Sequence, residues 1–457
     1  MVCAVPSSPL IFFEMDIAVY GLGYVGLTTS LYFAEMGHCV VAVDVDETKL
    51  RSLHSGRLPF VEHGLQDLLE KNLAEKRISF SSSLKTAAHC EVHFICLGTP
   101  SDQNDLPQTY KMTSLVDDLL QGFQNPTSLV IKSTVPVGFC DQLDKSVKET
   151  LKRAGKNFLV NVISNPEFLR EGWATQDTFY PHRVVIGTEC PRAEDLMREL
   201  YKSLQCPILV MSRRSSEMAK YAANALLATK ISVMNELSQL TEKNNSDIEM
   251  VRQAVGLDPR IGEQFLNSGV GFGGSCLPKD LRALIAQGKQ VGLELEIMKS
   301  VAQVNFSQKK FHLEKMKSVL GDLKNKKIAV WGVAFKADVD DIREAPSLFF
   351  ISELLKIGAQ LSVFDPLALD QLKNYLRQNH GTSSDIRFCN SPLQALENAD
   401  ALLVLTECDE FRRADLSQVK SLLKGAKLFD ARNVFHPMAA KKAGLLYYGV
   451  GRSGDGL

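Results

Sequence analysis

The sequence predicts an α/β protein: two doubly wound, parallel-sheet domains joined by a long central helix and a small helical domain. Three observations predict it. A strand, a glycine turn, a helix and a second strand ending in an acid follow one another from Asp16 to Asp44. The same succession starts again at Lys327 and closes on Asp365. Between them, Ser215 to Lys243 has helical spacing and contains no glycine or proline. The expected organisation is an N-terminal extension over 1–14, a dinucleotide-binding domain over 15–210, a central helical domain over 211–318, a second nucleotide-type domain over 319–450, and a disordered tail over 451–457. A chain of 457 residues is long enough to bury several cores.

Composition narrows the function. The net charge of -1 carries no basic surplus, so nucleic acid is not an expected partner. No apolar run approaches the roughly 18–20 residues that cross a bilayer. Met1–Glu14 lacks a basic start and a small-residue cleavage site, so neither a signal peptide nor a membrane partner is expected. The ten cysteines show no zinc-like spacing, and several lie in apolar strands, as in Cys39-Val-Val. No metal is expected. Reduced thiols and a cytoplasmic location fit better than a disulfide framework.

The first unit carries its own chemistry. Asp16–Tyr20 reads as a strand, Leu27–Met36 as a helix and Cys39–Val43 as the next strand, with Gly21-Leu-Gly-Tyr-Val-Gly26 between the first two. This G-x-G-x-x-G, in a strand–helix–strand context with Asp44 at the end, is a Rossmann dinucleotide fingerprint. Gly21 makes the tight turn, Gly23 lets a pyrophosphate approach, and Gly26 packs helix on strand. The helix N-terminus then faces the phosphates. Asp44 would accept hydrogen bonds from ribose hydroxyls and repel a 2′-phosphate, which favours NAD. Two later strands, Val92–Leu97 and Ser128–Lys132, lead into loops holding Thr99 and Thr134. Loops at the carboxyl ends of parallel strands line the ligand crevice, so both are candidate contacts, although either would equally serve as a helix cap.

Further on, Val160–Gly172 is a strand-to-loop crossing with Glu167 and Glu171 on either side of Arg170. A helix starting after Pro166 would put the two carboxylates on one face. In the long helix, apolar or small residues at 218, 221, 222, 225, 226, 229 and 233 predict a buried stripe. Lys220 and Asn224 flank it, one turn apart. A lysine on a mostly buried helix must meet an anion or lose its charge.

The stretch Gly271-Phe-Gly-Gly-Ser-Cys-Leu-Pro-Lys-Asp280 carries the sharpest signal. Its glycines allow close backbone approach. Pro278 suits the first turn of a helix, which places Cys276 at a helix N-terminus beside Lys279. Dipole and cation both favour thiolate there. Asp280 would act as a base or orient a water. A tight turn around an inert, buried cysteine has the same local pattern. The second strand–turn–helix unit lacks the full glycine fingerprint and instead has a charged turn, with Lys336, Asp338, Asp340, Asp341 and Arg343. It suggests a different phosphorylated ligand with Lys336 as a contact.

Taken in order, Gly21–Gly26, Ser133-Thr-Val-Pro, Asn165-Pro-Glu-Phe-Leu-Arg-Glu-Gly172, Lys220-x-x-x-Asn224, Gly271–Asp280 and Phe335-Lys-x-Asp-x-x-Asp-x-Arg343 resemble the UDP-glucose 6-dehydrogenase family, within the wider group of nucleotide-sugar dehydrogenases. The resemblance runs from Met15 to about Tyr448. It implies oxidation of a sugar primary alcohol to a carboxylate with two NAD per catalytic cycle. By this resemblance Lys220 and Asn224 steady a developing oxyanion, and Thr134 and Glu167 position a water or take a proton. Cys276 carries a thiohemiacetal and then a thioester. Asp280 or Glu167 is the base for hydrolysis, and the sequence leaves open which acts in which step.

The same resemblance puts Gly21, Gly23, Tyr24, Val25, Gly26, Asp44, Lys49, Thr99, Thr134, Glu171, Lys279 and Arg343 at cofactor positions. It puts Glu167, Phe168, Leu169, Arg170, Glu171, Lys220, Asn224, Arg260, Asn267, Phe272, Gly273, Lys336 and Arg432 at sugar-nucleotide positions. The residue matching Arg260 reaches a neighbouring subunit in the family, implying a homodimer or larger homo-oligomer. UDP-glucose is the expected substrate. Leu277 stands where phenylalanine is common in UDP-glucose enzymes, so GDP-mannose, or another nucleotide sugar, is the alternative. His182-Arg-Val-Val-Ile-Gly187 and Phe335-Lys336 with Arg432 read more like the UDP-glucose branch.

Overall fold

The computed structural model describes residues 14–379 and 385–452. The chain divides into two compact units, one holding residues to 103 and 107–220, the other 104–106 and everything from 221. The expected N-terminal extension lies, apart from Glu14, outside the described residues.

The first unit is built on eight strands: β1 (Asp16–Tyr20), β2 (Cys39–Val43), β3 (Ile78–Ser81), β4 (Val92–Ile95), β5 (Thr127–Ile131), β6 (Val160–Ser164), β7 (Val184–Gly187) and β8 (Ile208–Met211). They lie in the order β3-β2-β1-β4-β5-β6-β7-β8. The first six are parallel, while β7 meets β6 antiparallel at Ser164 and Gly187. Ile17, Ala18 and Val19 of β1 are wholly buried on both faces, as helix-covered parallel strands require. The helix Tyr24–Glu35 begins inside the glycine motif, three residues earlier than its apolar spacing predicts, and every residue from Gly26 to Ala34 is buried.

Two expectations in this half are corrected. No helix starts after Pro166; the next one is Ala174–Phe179. Side chains take the backbone donors that a helix there would use. Glu167 accepts the Leu169 N–H at 2.6 Å, and Asp177 accepts the Arg170 N–H at 2.9 Å. The long helix runs Arg213–Asn244, and its buried face coincides with the predicted stripe only in part, at Tyr221 and Ala225. Met218, Leu226 and Val233 are exposed, whereas Glu217, Lys220, Tyr221, Asn224, Ala225, Ala228 and Ser232 are buried. The inward face is small and polar because it meets backbone and charged groups. Glu217, for example, accepts the N–H groups of Gly138 (2.5 Å) and Cys140 (2.8 Å), capping the helix Phe139–Arg153.

The second unit carries β9 (Lys327–Trp331), β10 (Gln360–Phe364), β11 (Ile386–Phe388), β12 (Ala401–Val404), β13 (Lys427–Asp430) and β14 (Leu446–Tyr448). All pair in parallel, in the order β11-β10-β9-β12-β13-β14. Asp365, after β10, accepts the Val333 and Ala334 N–H groups and so pins the turn after β9. The helices Ile248–Gly256, Leu277–Gln290 and Glu296–Leu320 belong to this unit with the remainder of the long helix. Gly451 and Arg452, expected in a disordered tail, are instead packed. The Gly451 carbonyl accepts the Ile248 N–H, and Arg452 pairs with Asp247 at 3.2 Å. Residues 453–457 lie outside the described residues.

Candidate active site

In the first unit the glycine motif is shaped by close approach. Gly21 has φ +89°, and a β-carbon on Gly26 would lie 1.8 Å from the Gly21 carbonyl oxygen. Only hydrogen fits at Gly26. A β-carbon on Gly23 would meet nothing within 4 Å, so the space over that backbone is open at the N-terminus of Tyr24–Glu35. A pyrophosphate fits such a cradle, facing helix N–H groups and the positive end of the dipole. Tyr24 packs against Phe60 with ring centres 4.0 Å apart and the rings tilted by 36°, and Val25 is half-buried. Asp44 accepts the Leu22 N–H at 2.7 Å and the Lys49 ammonium at 2.6 Å. Burial alone would raise its carboxyl, but Lys49 and the backbone donors outweigh that and hold it below the usual carboxylate range. The structure thus brings two of the expected cofactor residues, Asp44 and Lys49, into one ion pair.

At the carboxyl ends of β4 and β5, the Thr99 hydroxyl donates to the Thr134 carbonyl at 2.8 Å. The hydroxyl of Ser133 ties back to the Leu97 carbonyl at 2.7 Å, so the two loops form one edge. Beyond β6, Glu167 is buried and pairs with Lys220 at 2.8 Å. Burial pushes the Glu167 carboxyl up, yet Lys220, the Leu169 N–H and Lys132 together hold it below its ordinary value. Phe168 presents its ring to two cations, Arg183 at 3.8 Å and Lys220 at 5.5 Å. Arg170 points elsewhere, held by both oxygens of Asp177. Glu171 is half-buried. Glu62, unremarked in the sequence, accepts the Gly172 N–H at 2.8 Å and fixes the end of this loop.

The second unit holds the cysteine. Cys276 is the N-cap of Leu277–Gln290, with Pro278 in the first turn. The Asp280 N–H donates to the Cys276 carbonyl at 2.9 Å. Asp280 is buried and takes the Asn224 amide at 2.7 Å and the Lys279 ammonium at 2.5 Å. Lys279 therefore serves the carboxylate rather than standing free for the thiol. Ser275 lies 3.5 Å from the sulfur. A half-exposed thiol at a helix N-terminus, one turn from a buried and doubly hydrogen-bonded carboxylate, can host a nucleophilic step followed by attack of a water.

The glycine loop before it is clamped from behind. Asn305 accepts the Phe272 N–H at 2.7 Å and returns an amide to the Phe272 carbonyl, while Asn235 accepts the Gly269 N–H at 2.8 Å. A β-carbon on Gly273 would meet the Glu344 carbonyl at 2.5 Å, and one on Gly274 would meet the Phe335 ring at 2.8 Å. Phe272 itself is a core residue packed with Ala228, Leu281 and Val301. Arg432 donates to the carbonyls of Leu405, Gly271 and Phe335, joining the glycine loop to the turn that carries Lys336. Other expected contacts stand apart. Arg260 is largely exposed and folded onto Asp258, Asn267 is exposed, and Arg343 is paired with Asp341 at 2.6 Å. Asn235, Asn305 and Gln308 escaped the sequence reading. Their signal was polar residues recurring at helical spacing inside apolar helices.

Comparison with known proteins gives the same picture along the chain. The sequence matches the three domains of the UDP-glucose/GDP-mannose dehydrogenase family: the NAD binding domain over 15–205, the central domain over 214–307 and the UDP binding domain over 329–437. It is 38% identical to a UDP-glucose 6-dehydrogenase of Bacillus subtilis over 441 residues, covering 95% of this chain and 93% of that one. A UDP-glucose dehydrogenase structure from Pyrobaculum islandicum superposes with a TM-score of 0.89 at 33% identity, covering 98% of this chain and all of that one. A GDP-mannose dehydrogenase from Pseudomonas aeruginosa gives 0.52 at 28% identity, over 95% of this chain and all of that one.

Proposed function

Because this chain belongs to the UDP-glucose/GDP-mannose dehydrogenase family, an NAD-dependent oxidoreductase family, we propose that it oxidises UDP-glucose to UDP-glucuronate. The observation that carries the reading is Cys276 capping a helix whose first turn holds the buried Asp280. A two-electron alcohol dehydrogenase needs neither. The closer superposition on the Pyrobaculum enzyme than on the GDP-mannose enzyme favours UDP-glucose over the alternative sugar nucleotide.

NAD, when bound, accepts a hydride from sugar C6, and two are consumed for the four electrons removed. The residues do the rest. Glu167, with Thr134, receives the hydroxyl proton, directly or through a water, as the first hydride leaves. Lys220 and Asn224 donate to the oxygen as negative charge develops on it. The Cys276 thiolate adds to the aldehyde carbonyl, forming a C–S bond, and the oxygen takes up a proton to give a thiohemiacetal. Loss of the second hydride and of that proton leaves a thioester. Water, activated by Asp280 or Glu167, attacks it; the C–S bond breaks and the thiol is restored. The sum is UDP-glucose, two NAD⁺ and water giving UDP-glucuronate, two NADH and three protons.

The central region is read as a dimerisation surface. Leu226, Val233, Leu237 and Leu240 form an exposed apolar row along the long helix, and burying such a row against a second copy would give it a core. Arg260, exposed and parked on Asp258, is the residue read as serving the partner's substrate. A cytoplasmic location fits the described cysteines, none of which forms a disulfide. Among the described residues no helix is long and apolar enough to cross a membrane. The test is stoichiometry: purified protein should form about two NADH per UDP-glucose consumed and far fewer with GDP-mannose or UDP-N-acetyl sugars. One NADH per sugar with free aldehyde as the end product would defeat the cysteine mechanism.

A further inference from the structure

Beside Glu167 the first unit has a partly open cavity of about 70 Å³, lined among others by Lys132, Asn165, Glu167, Phe168 and Tyr201. Lys132 follows directly on β5 and turns its side chain into this space. Its ammonium donates to Asn165 Oδ1 at 3.2 Å, an oxygen that also receives the Tyr201 hydroxyl at 2.7 Å. The Tyr201 ring lies 5.9 Å from the ammonium. Asn165 is fixed in turn by donating to the Val185 carbonyl at 2.8 Å. Among the described residues Lys132 makes no direct ion pair: its ammonium, in a buried pocket, touches a neutral amide and an aromatic face.

The other titratable groups around it are accounted for. From the end of β4 comes Cys96, whose thiol burial pushes up to about 12; from beyond the helix Pro191–Leu200 comes Tyr201, well above its ordinary value for the same reason. Both are neutral. Asp177 is bound by Arg170, Arg183 lies on the Phe168 ring, Tyr32 is held neutral by burial, and His182 completes the titratable lining. From the long helix comes Lys220. With the Asp177–Arg170 pair set aside, the local charge is two ammoniums and the Arg183 guanidinium against one carboxylate, a positive surplus beside the place where the proposed reaction makes an oxyanion.

That arrangement gives Lys132 a task. When Lys220 turns its ammonium to the developing oxyanion, Glu167 loses its direct partner, and an unpaired buried carboxylate would take a proton and cease to be a base. We propose that Lys132 is a positioning residue for the Glu167–Lys220 pair: the second cation that keeps Glu167 ionised while Lys220 serves the substrate. The burial that lowers the Lys132 ammonium's own affinity for its proton is opposed by Glu167, so the two groups hold each other charged. This rests on the functional reading above.

The test is the acid limb of kcat with UDP-glucose and NAD both saturating, the state in which Lys220 is turned to the sugar. Lys132→Gln keeps a donor toward Asn165 but removes the charge. Its limb should move to higher pH by about one unit, cutting activity roughly tenfold below the limb. Lys132→Arg should restore the wild-type limb. A Gln variant that is active with an unmoved limb overturns the role of Lys132 and leaves the functional reading intact. Wild-type protein that yields no NADH with any nucleotide sugar overturns that reading instead. If the Gln variant does not fold, the Arg variant decides: an unmoved limb supports the proposal, and a limb displaced upward despite the retained charge overturns it.

Discussion

Lys220 and Glu167 form a 2.8 Å ion pair in which both side chains are almost wholly buried, 4% and 9% exposed. Water contributes little to either charge, and Glu167 is stabilised by Lys220, by the Leu169 N–H and by Lys132. Removing one member of the pair takes from the other its nearest opposite charge. Lys220→Ala should therefore cost about 3 kcal/mol or more of stability and abolish NADH formation. The double variant Lys220→Met with Glu167→Gln should regain most of that stability but none of the turnover. Denaturant midpoints together with NADH assays on the three proteins separate the two effects.

The glycine motif offers a contrast between two neighbouring positions. Gly26→Ala drives a methyl group to 1.8 Å from the Gly21 carbonyl, which only a backbone shift can relieve. It should cost about 1–3 kcal/mol and disorder the turn. At Gly23 the same methyl meets nothing, so Gly23→Ala should leave stability within about 0.5 kcal/mol while weakening NAD binding at least tenfold, because the new carbon occupies the phosphate cradle. Calorimetric NAD titration and thermal melts of the two variants check both halves. Equal melting losses would show that Gly23 is structural.

Much of this was legible in the chain before any coordinates. Both strand–turn–helix units were visible because buried parallel strands are short apolar runs, and the acids that close them, Asp44 and Asp365, terminate those runs in sequence. Cys276 was legible as a helix cap because glycines and a proline bracket it. What stayed hidden depended on partners distant along the chain. The inward face of the long helix is only partly legible: Lys220 meets an anion as expected, but Met218, Leu226 and Val233 face outward and Glu217 inward, because the groups they meet or avoid lie far off in sequence. The edge strands β3, β8, β11 and β14 were missed for a related reason: their pairing comes from the neighbouring strand, and each is only three or four residues long. The four-residue spacing of Glu167 and Glu171 left a helix after Pro166 open. Only the fold shows Glu167 and Asp177 taking its backbone donors.

Cys276→Ser tests whether sulfur chemistry sits on the path to product. A serine hydroxyl keeps the size of the site but is a far poorer nucleophile near neutral pH. First-hydride transfer should survive as a burst of at most one NADH per site, with steady turnover falling at least a hundredfold. Rapid-mixing absorbance at 340 nm reads both phases. Sustained formation of two NADH per sugar by this variant would remove Cys276 from the mechanism.

The exposed row on the long helix makes a prediction about assembly. Leu226 is 66% exposed and Leu240 56%, on a helix whose opposite face is already satisfied. Leu226→Asp with Leu240→Asp places two charges in a surface that would otherwise be buried against a second copy. Sedimentation should shift from dimer or larger species to monomer, and activity should fall with it if Arg260 serves the neighbouring site. A monomeric wild-type protein with full activity would show that this row faces solvent in the working enzyme.

His312 makes the second unit sensitive to acid. It is buried on the helix Glu296–Leu320, with Nε2 3.3 Å from the Gln308 amide nitrogen. That amide already donates to the Gly269 carbonyl at 2.9 Å, so its nitrogen is fixed as a donor and the ring nitrogen facing it must accept. The imidazole is neutral; burial, and then Lys315, push its pKa down to about 3. In the unfolded chain it titrates near 6.5. Between those values the unfolded state binds a proton that the folded state refuses. The stability His312 contributes is therefore full above about pH 6.5 and lost as pH falls toward 3, by up to about 1.4 kcal/mol per unit. His312→Gln removes that linkage. Urea unfolding of the second unit, followed by the buried Trp331, should weaken about 2–3 kcal/mol more in wild type than in the variant between pH 7 and 4.5. Parallel losses in the two proteins would assign the acid sensitivity to other groups.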